Sequence, residues 1–304
     1  MERSLFNDNY PLTQLGLTVV VALASLIISM LLTTILINPL FGSDAANLLN
    51  SRNLGDPRAI NVLKFSQIIL SVGMFVVPPL ILGKIFSGSS FQYLKLNASP
   101  GSNRIALVLV LMLIAIPAIN LLASLNSLIK LPPFMSAIEK ELIHSEQNAE
   151  LTTKAFLNIK TLPGLMVNLL MVGIIPALGE EFLFRGIFQR VFSNWTKNYH
   201  WGIIISAFIF SAFHMQFYGF FPRWLLGILF GYMLIWSGSL WLPIAAHFIN
   251  NSMAVIAYYF VNQNVITEKA AEVGSNFDLL PLSIISCLLT AVGIYVLYLK
   301  RIRS

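Results

Sequence analysis

The stretch GEEFLFRGIFQR, which begins at Gly179, places two adjacent carboxylates and an arginine inside an apolar run. A charged side chain at the centre of a bilayer costs roughly 2.5 to 3.5 kcal/mol even on lenient insertion scales, so these residues need partners, water or a chemical role. Glu181 and Arg185 are four residues apart and share a helix face, which predicts an ion pair. Glu180 lies about 100 degrees from Glu181 around the helix. This predicts that the arginine neutralises one carboxylate and leaves the other for chemistry, and the spacing leaves open which is which.

Two histidines and an asparagine lie in further apolar runs. His214 lies in IIISAFIFSAFHMQF and His247 in SLWLPIAAHFINN, where an unpaired polar side chain is costly. His247 and Asn251 share a helix face, because they are four residues apart. At 1.5 Å per residue from the predicted helix ends, Glu180 is roughly 15 Å deep, His247 roughly 12 Å and His214 roughly 21 Å. We therefore expect the three helices to bring these groups together in a cavity open to the cytoplasm.

A glutamate and two histidines in a cavity that excludes water suit the activation of a water molecule for attack on a peptide carbonyl. Glu180 or Glu181 would be the base, and Asn251 would be a donor to the developing oxyanion. The same groups could instead bind zinc, whose catalytic sites combine histidine and carboxylate with one open position. The sequence contains no HExxH, so a local zinc motif is absent.

The composition indicates an integral membrane protein. Of the 304 residues, 57% are hydrophobic and 11% are charged, whereas about 25% of the residues of an average soluble domain are charged. A helix needs about 20 apolar residues to cross a hydrocarbon core. Runs of this kind predict helices at about 14–38, 59–85, 104–126, 163–191, 199–218, 222–237, 239–261 and 279–299. The predicted fold class is all-α: a polytopic membrane helix bundle of about eight transmembrane helices.

We interpret the chain as a single transmembrane domain, 1–304, in three parts. Residues 1–162 carry no recognised motif, 163–262 carry the polar motifs, and 279–304 form the last span and a basic tail. The first apolar run is longer than the core of a signal peptide, so we expect a retained anchor. Four prolines are expected to kink or interrupt helices: Pro78, Pro79, Pro117 and Pro176.

The basic residues predict the orientation of the bundle, because lysine and arginine favour the cytoplasmic side of short loops. One set of connections and the tail carry Lys84, Lys95, Arg104, Arg190, Lys197, Lys300, Arg301 and Arg303. The opposite set carries Glu268, Glu272, Asp278 and the long connection from Leu131 to Leu162. Both termini are therefore predicted to be cytoplasmic, and the compact chain favours a bacterial plasma membrane. The net charge of +6 is scattered at the ends of apolar runs, a distribution that argues against a nucleic-acid partner.

The long connection contains a predicted amphipathic segment, FMSAIEKELIHSEQNAELTTKAF, which begins at Phe134. Apolar residues at near-helical spacing beside charged ones predict either a helix at the membrane interface or a solvated helical linker. Arg223 is interpreted as a side chain that extends to lipid headgroups. Cys287 is interpreted as a small core or lipid-facing residue.

Three short motifs resemble those of a known family. EEFLFRG at Glu180, FSAFH at Phe210 and HFINN at His247 are similar to the motifs EExxxR, FxxxH and HxxxN of the CPBP family. This is the family of type II CAAX prenyl endopeptidases and bacteriocin-processing proteins, also called Abi. Order and spacing agree over roughly a quarter of the chain, and Ser211 stands where a glycine is frequent in that family.

The resemblance implies a multi-helix intramembrane endopeptidase that acts on a peptide or a lipidated protein substrate at the lipid bilayer. Glu180 would be the base that activates water, assisted by His214, and Glu181 with Arg185 would be the supporting pair. The remaining two motif residues would stabilise the oxyanion or contribute to a metal site: His247 and Asn251.

Members of the family are widely called metalloproteases, so the resemblance makes Zn²⁺ the candidate cofactor. Its candidate ligands are Glu180, His214 and His247. A glutamate-dependent mechanism without a metal ligand also fits these residues.

Two other functions are compatible with the polar residues. Glutamates, histidines and arginines within a membrane also form the proton relays of proton-coupled transporters. The sequence shows no internal repeat, and its polar chemistry lies in the second half, which argues against a transporter. The other alternative is a non-catalytic scaffold or immunity protein that binds a partner.

Overall fold

The computed structural model describes residues 10–51, 53–275 and 279–302 and consists of helices joined by short connections. Asp278 and Arg303, used above to predict the orientation, lie outside the described residues. Short helices occupy Ala45–Ser51, Ser90–Tyr93 and Glu268–Ala271. The long helices are α1 (Pro11–Phe41), α2 (Pro57–Ser87), α3 (Ser102–Ser127), α4 (Ser136–Leu157), α5 (Leu162–Thr196), α6 (Tyr199–Phe213), α7 (Phe220–Ser237), α8 (Trp241–Asn262) and α9 (Leu280–Ile302).

Seven of the described helices are long and apolar enough to cross a membrane, namely α1, α2, α3, α5, α7, α8 and α9. The prediction of an all-α, multi-pass membrane bundle is confirmed. The predicted span 199–218 differs, because α6 has only 15 residues and ends at Phe213. Met215 has a φ of 53°, in the left-handed region that a right-handed helix cannot continue through.

The prolines in α2 and α5 do not interrupt these helices, because wider turns precede them. A π-helical turn, Val72–Val76, precedes Pro78 and Pro79, and another, Leu169–Ile174, precedes Pro176. Proline lacks an N–H group and clashes with the preceding turn, so a locally wider turn lets the helix continue in an environment without water. A third π-helical stretch, Glu181–Phe188, carries the first polar motif.

α1 has a polar stripe on its buried side and apolar residues on its outer side. The buried residues of α1 include Gln14, Thr18, Ser25, Ser29 and Thr33. Small and polar side chains at helix contacts are typical of membrane bundles, in which lipid is as apolar as leucine. α1 therefore packs against α2 through polar and small groups, and the hydroxyl of Ser25 donates to the carbonyl of Gly73 at 2.5 Å.

α5 lies at the centre of the motif-bearing half of the bundle and contacts α2, α6, α7 and α8. Large apolar side chains from these helices surround it, among them Phe184, Ile187 and Phe230. This packing holds the polar residues of α5 at fixed positions relative to α7 and α8.

Candidate active site

The site is centred on the carboxylate of Glu181, which is fully buried. Its Oε1 atom accepts hydrogen bonds from Nη1 of Arg185 at 2.7 Å and from Nδ1 of His247 at 2.8 Å. An ionised carboxylate only accepts, so Nδ1 of His247 carries a proton in this contact. α5 therefore supplies an ion pair that orients the histidine of α8.

Arg185 is held by α6 and α7 as well as by Glu181. Its Nη2 atom donates to the carbonyl of Gly227 at 3.2 Å, and its guanidinium carbon lies 4.6 Å from the ring centre of Phe210 and 5.4 Å from that of Phe230. Cation–π contacts of this kind stabilise a desolvated guanidinium. A Cβ atom at Gly227 would lie 2.9 Å from that of Ala207, so the close approach of α6 and α7 requires glycine there.

Glu180 has a different environment from Glu181. Its Oε2 atom lies 3.7 Å from Nε2 of His247, beyond hydrogen-bond distance, and its side chain is 14% exposed, at the wall of a cavity. The structure thus separates the two carboxylates whose roles the spacing left open. Glu181 is engaged by two donors, and Glu180 is the one that faces open space.

His214 lines the same cavity from the end of α6. Its Nδ1 atom is 2.9 Å from the carbonyl oxygen of Phe210, so Nδ1 donates and Nε2 is left as an acceptor. The ring of Phe210 contacts both histidine rings edge-on, with its centre 5.1 Å from that of His214 and 6.0 Å from that of His247. The structure therefore places His214 at the cavity. Among the described residues, it forms no hydrogen bond with Glu180 or His247.

Asn251 also lines the cavity, but its amide is already partly engaged. Its Nδ2 atom donates to the carbonyl of Val172 at 3.0 Å, and its Oδ1 atom accepts from Asn250 at 3.2 Å. One amide hydrogen of Asn251 therefore remains for a ligand. Asn250 lines the cavity too, so helix spacing alone does not separate the two asparagines.

The cavity has a volume of about 690 Å³ and is walled by α2, α4, α5, α6, α7 and α8. None of the three motifs lies in α4, so the motifs do not predict that this helix lines the cavity. The sequence marks α4 only by its amphipathic pattern. α4 belongs to the connection that the basic residues assign to the non-cytoplasmic side. The sequence predicts both a cavity open to the cytoplasm and two cytoplasmic termini. If the cavity opens beside α4, these two predictions conflict.

The loop that follows His214 is held from three sides. Arg223, which the sequence suggested as a lipid-headgroup contact, lines the cavity instead, and its guanidinium packs on Gly219. The three contacts to the loop are Nη2 of Arg223 to the carbonyl of Gln216 at 3.4 Å, the amide of Tyr218 to Oε2 of Glu146 at 3.1 Å, and Nδ2 of Asn126 to the carbonyl of Phe217 at 3.0 Å. Helices α3, α4 and α7 thus fix the position of this loop.

A metal site at Glu180, His214 and His247 does not follow from this geometry. In the part of the chain that the structure describes, no group of three histidine, cysteine, aspartate or glutamate side chains is placed to bind a metal ion. Nδ1 of His247 is occupied by Glu181, and only its Nε2 faces Glu180. Zinc at these residues stays a prediction.

A buried carboxylate–arginine–histidine group beside a second carboxylate, within apolar helices, defines a multi-pass membrane protein with a polar centre in its interior. The sequence profile of the family described as "Type II CAAX prenyl endopeptidase Rce1-like" matches residues 162–253. This match, from α5 into α8, supports the resemblance that the three motifs indicated.

Two curated relatives match stretches of similar length. The chain is 33% identical over 89 residues to the uncharacterized protein YpbD of Bacillus subtilis (strain 168). The aligned stretch covers 27% of this chain and 41% of that protein. It is 35% identical over 102 residues to an uncharacterized 24.3 kDa protein of Escherichia coli. That aligned stretch covers 31% of this chain and 45% of the relative. The chain thus spans less than half the length of these two relatives. No solved structure matches the chain.

Proposed function

We propose that the protein is an intramembrane endopeptidase that hydrolyses a peptide bond of a membrane-associated substrate. One observation carries this proposal. Oε1 of Glu181 binds both Arg185 and Nδ1 of His247, which leaves Nε2 of His247 facing Glu180 across 3.7 Å at the cavity wall. The family match over residues 162–253 supports a protease of the CAAX type. A prenylated C-terminal peptide is our candidate substrate, in a bacterial plasma membrane.

Glu180 is the base of the proposed mechanism. A water molecule bound between Glu180 and Nε2 of His214 gives a proton to Glu180 while its oxygen attacks the scissile carbonyl carbon. Glu180 then returns that proton to the leaving amine as the carbon–nitrogen bond breaks. Both residues line the cavity, so a substrate carbonyl in the cavity is within reach of each.

The oxyanion formed by this attack needs donors on the other side of the carbonyl. Nε2 of His247 donates when its ring carries both protons, while Glu181 continues to accept from Nδ1. The second amide hydrogen of Asn251 is the other candidate donor. Arg185 holds Glu181 in place through its hydrogen bond, and it acts on the reaction only through His247.

Purified wild-type protein and the Glu180→Gln variant should be compared on a quenched peptide that ends in a farnesylated CAAX sequence. We expect the variant to lose at least about 100-fold in turnover, the lower range for a general base. Glu268→Gln, on an exposed carboxylate away from the cavity, is the control and should retain wild-type activity. Full activity of Glu180→Gln would refute the proposal.

Metal content should be measured on the same samples. Stoichiometric zinc that is lost from the His214→Ala and His247→Ala variants would support the zinc site implied by the resemblance. Activity that persists in a sample free of metal and in the presence of a chelator would support direct activation of water by Glu180.

The two alternatives predict other results. A proton-coupled transporter would move protons across liposomes when substrate is added, and a peptidase would not. In a scaffold or immunity protein, alanine substitutions at the motif residues would lower the melting temperature, and neither they nor the wild type would hydrolyse peptide.

A further inference from the structure

The wall of the cavity opposite the motif residues is formed largely by α4. The face of α4 toward the cavity carries Ser145, Asn148, Thr152 and Phe156, at intervals of three or four residues. This face is polar at its centre, so its side chains can form hydrogen bonds with a peptide backbone. It lies outside the segment 162–253 that the family profile matches.

α4 also borders a second cavity, of about 1040 Å³, between itself, α1 and α2. Its walls include apolar side chains such as Met30, Leu63 and Leu70. The same three side chains of α4 line both cavities: Asn148, Thr152 and Phe156. A substrate that extends from the active site toward α1 would therefore pass along this face of α4.

α4 is attached firmly at its C-terminal end. Nδ2 of Asn168 donates to the carbonyl of Phe156 and Nδ2 of Asn262 donates to the carbonyl of Leu157, each at 2.7 Å. These bonds satisfy two of the carbonyl groups that a helix leaves unpaired at its end. Asn168 is itself fixed by Nζ of Lys64 at 2.8 Å. The C-terminal end of α4 is thus anchored to α5 and α8.

The rest of α4 is held lightly. Every residue of α4 is described, and among them Leu157 alone is buried. Lys154 pairs with Glu150 of the same helix at 2.6 Å, and this hydrogen bond raises the pKa of Lys154. The hydrogen bond from the amide of Tyr218 to Glu146 joins the middle of α4 to the loop that follows His214. α4 therefore has an anchored end and a single contact with the loop of a proposed catalytic residue.

We propose that α4 is the wall of the active site that selects the substrate. Asn148 and Thr152 contact the peptide near the scissile bond, and Phe156 packs against one of its side chains. Glu146 is a positioning residue that holds the loop of His214 through Tyr218. This inference rests on the proposed peptidase function and adds to it the element that contacts the substrate.

The first test compares neighbouring residues of α4 on the farnesylated quenched peptide. Asn148→Ala should raise KM about fivefold with little change in kcat, the effect of losing one hydrogen bond of ordinary strength. Gln147→Ala is the matched control, because Gln147 is exposed and does not line the cavity. Equal KM values for the two variants would overturn the assignment of this face.

Glu146 has its own pair of variants. Glu146→Ala should lower kcat about fivefold and leave KM unchanged, since it removes one hydrogen bond to the His214 loop. Glu146→Gln should restore kcat, because its amide oxygen can accept from the amide of Tyr218. Equal activity of the alanine and glutamine variants would contradict the positioning role.

The second test measures contact without turnover. In a Cys287→Ser, Glu180→Gln background, Thr152→Cys and Gln147→Cys are alkylated with N-ethylmaleimide, with and without the farnesylated peptide. Peptide at about ten times its Kd should slow alkylation of Thr152→Cys about tenfold and leave Gln147→Cys unchanged. Equal rates at Thr152→Cys with and without peptide would overturn the proposal.

The two tests separate the failure of this inference from that of the proposed function. If wild-type protein does not cleave the peptide and Thr152→Cys is protected, the substrate-contacting role stands and the peptidase assignment fails. If the peptide is cleaved and Thr152→Cys is not protected, the peptidase assignment stands and the role of α4 fails.

Discussion

Replacing Arg185 by methionine tests the buried centre of the site directly. Methionine keeps much of the length of the side chain and removes the guanidinium, which leaves Glu181 with His247 as its remaining partner. The side chains of Arg185 and Glu181 are 1% and 0% exposed. Water therefore cannot compensate for the lost charge.

Removing one partner of a buried ion pair costs about 3 to 5 kcal/mol, because the other charge stays desolvated. At about 2 to 4 °C per kcal/mol for a domain of this size, Arg185→Met should lower the melting temperature by on the order of 10 °C. Glu181→Gln with Arg185→Met removes both charges and keeps an acceptor for His247. We expect this double variant to recover at least half of the loss, because a neutral pair carries no uncompensated charge.

The assay is the thermal melting of purified protein in one detergent, followed by tryptophan fluorescence. Wild type, both single variants and the double variant complete a thermodynamic cycle. If Arg185→Met melts within about 2 °C of wild type, or if the double variant adds the two single losses, the pair does not form the buried contact described.

Three further predictions concern packing, the loop after His214 and orientation. Gly227→Ala should destabilise the protein by about 1 to 3 kcal/mol through overpacking between α6 and α7, whereas Gly16→Ala should not, because an added Cβ atom there would have no neighbour within 4 Å. Asn126→Ala leaves the carbonyl of Phe217 and the amide of Phe221 unpaired, which should lower the free energy of unfolding by about 1 to 3 kcal/mol per group. The same variant should lower turnover, because it loosens the His214 loop. In intact cells of a cysteine-free background, an impermeant maleimide should label Gln147→Cys and leave Asn97→Cys unlabelled, because the basic residues place α4 outside and the loop of Asn97 inside.

Each of these predictions has a result that contradicts it. Equal melting temperatures for Gly227→Ala and Gly16→Ala would mean that α6 and α7 are farther apart than described. Unchanged turnover in Asn126→Ala, beside a neutral Ser127→Ala control, would show that the loop is held without this side chain. Labelling of Asn97→Cys alone would reverse the orientation and place the α4 side of the cavity in the cytoplasm.

Hydropathy predicted the bundle well, because a membrane span must be a continuous apolar helix. The predicted spans 104–126 and 239–261 correspond to α3, Ser102–Ser127, and α8, Trp241–Asn262. The end of α6 was wrong by several residues, since the left-handed backbone of Met215 leaves no mark on hydropathy. The π-helical turns were missed for the same reason.

The candidate site could be predicted only in part. Helix spacing predicts the contact between Glu181 and Arg185, because both lie on one helix. The hydrogen bond from His247 to Glu181 joins two helices whose relative rotation depends on the packing of α5 against α8. The positions of Arg223 and α4 at the cavity likewise depend on tertiary packing, so neither follows from residue type or local pattern.

The π-helical stretch Glu181–Phe188 determines how this helix would respond to the loss of one residue. Deleting one residue from a regular α-helix rotates the residues on its two sides by about 100 degrees relative to each other, whereas this wider stretch can absorb a deletion by tightening to α-helical geometry. A relative with one residue fewer between Glu180 and Gln189 can therefore keep both side chains on their present faces of the helix.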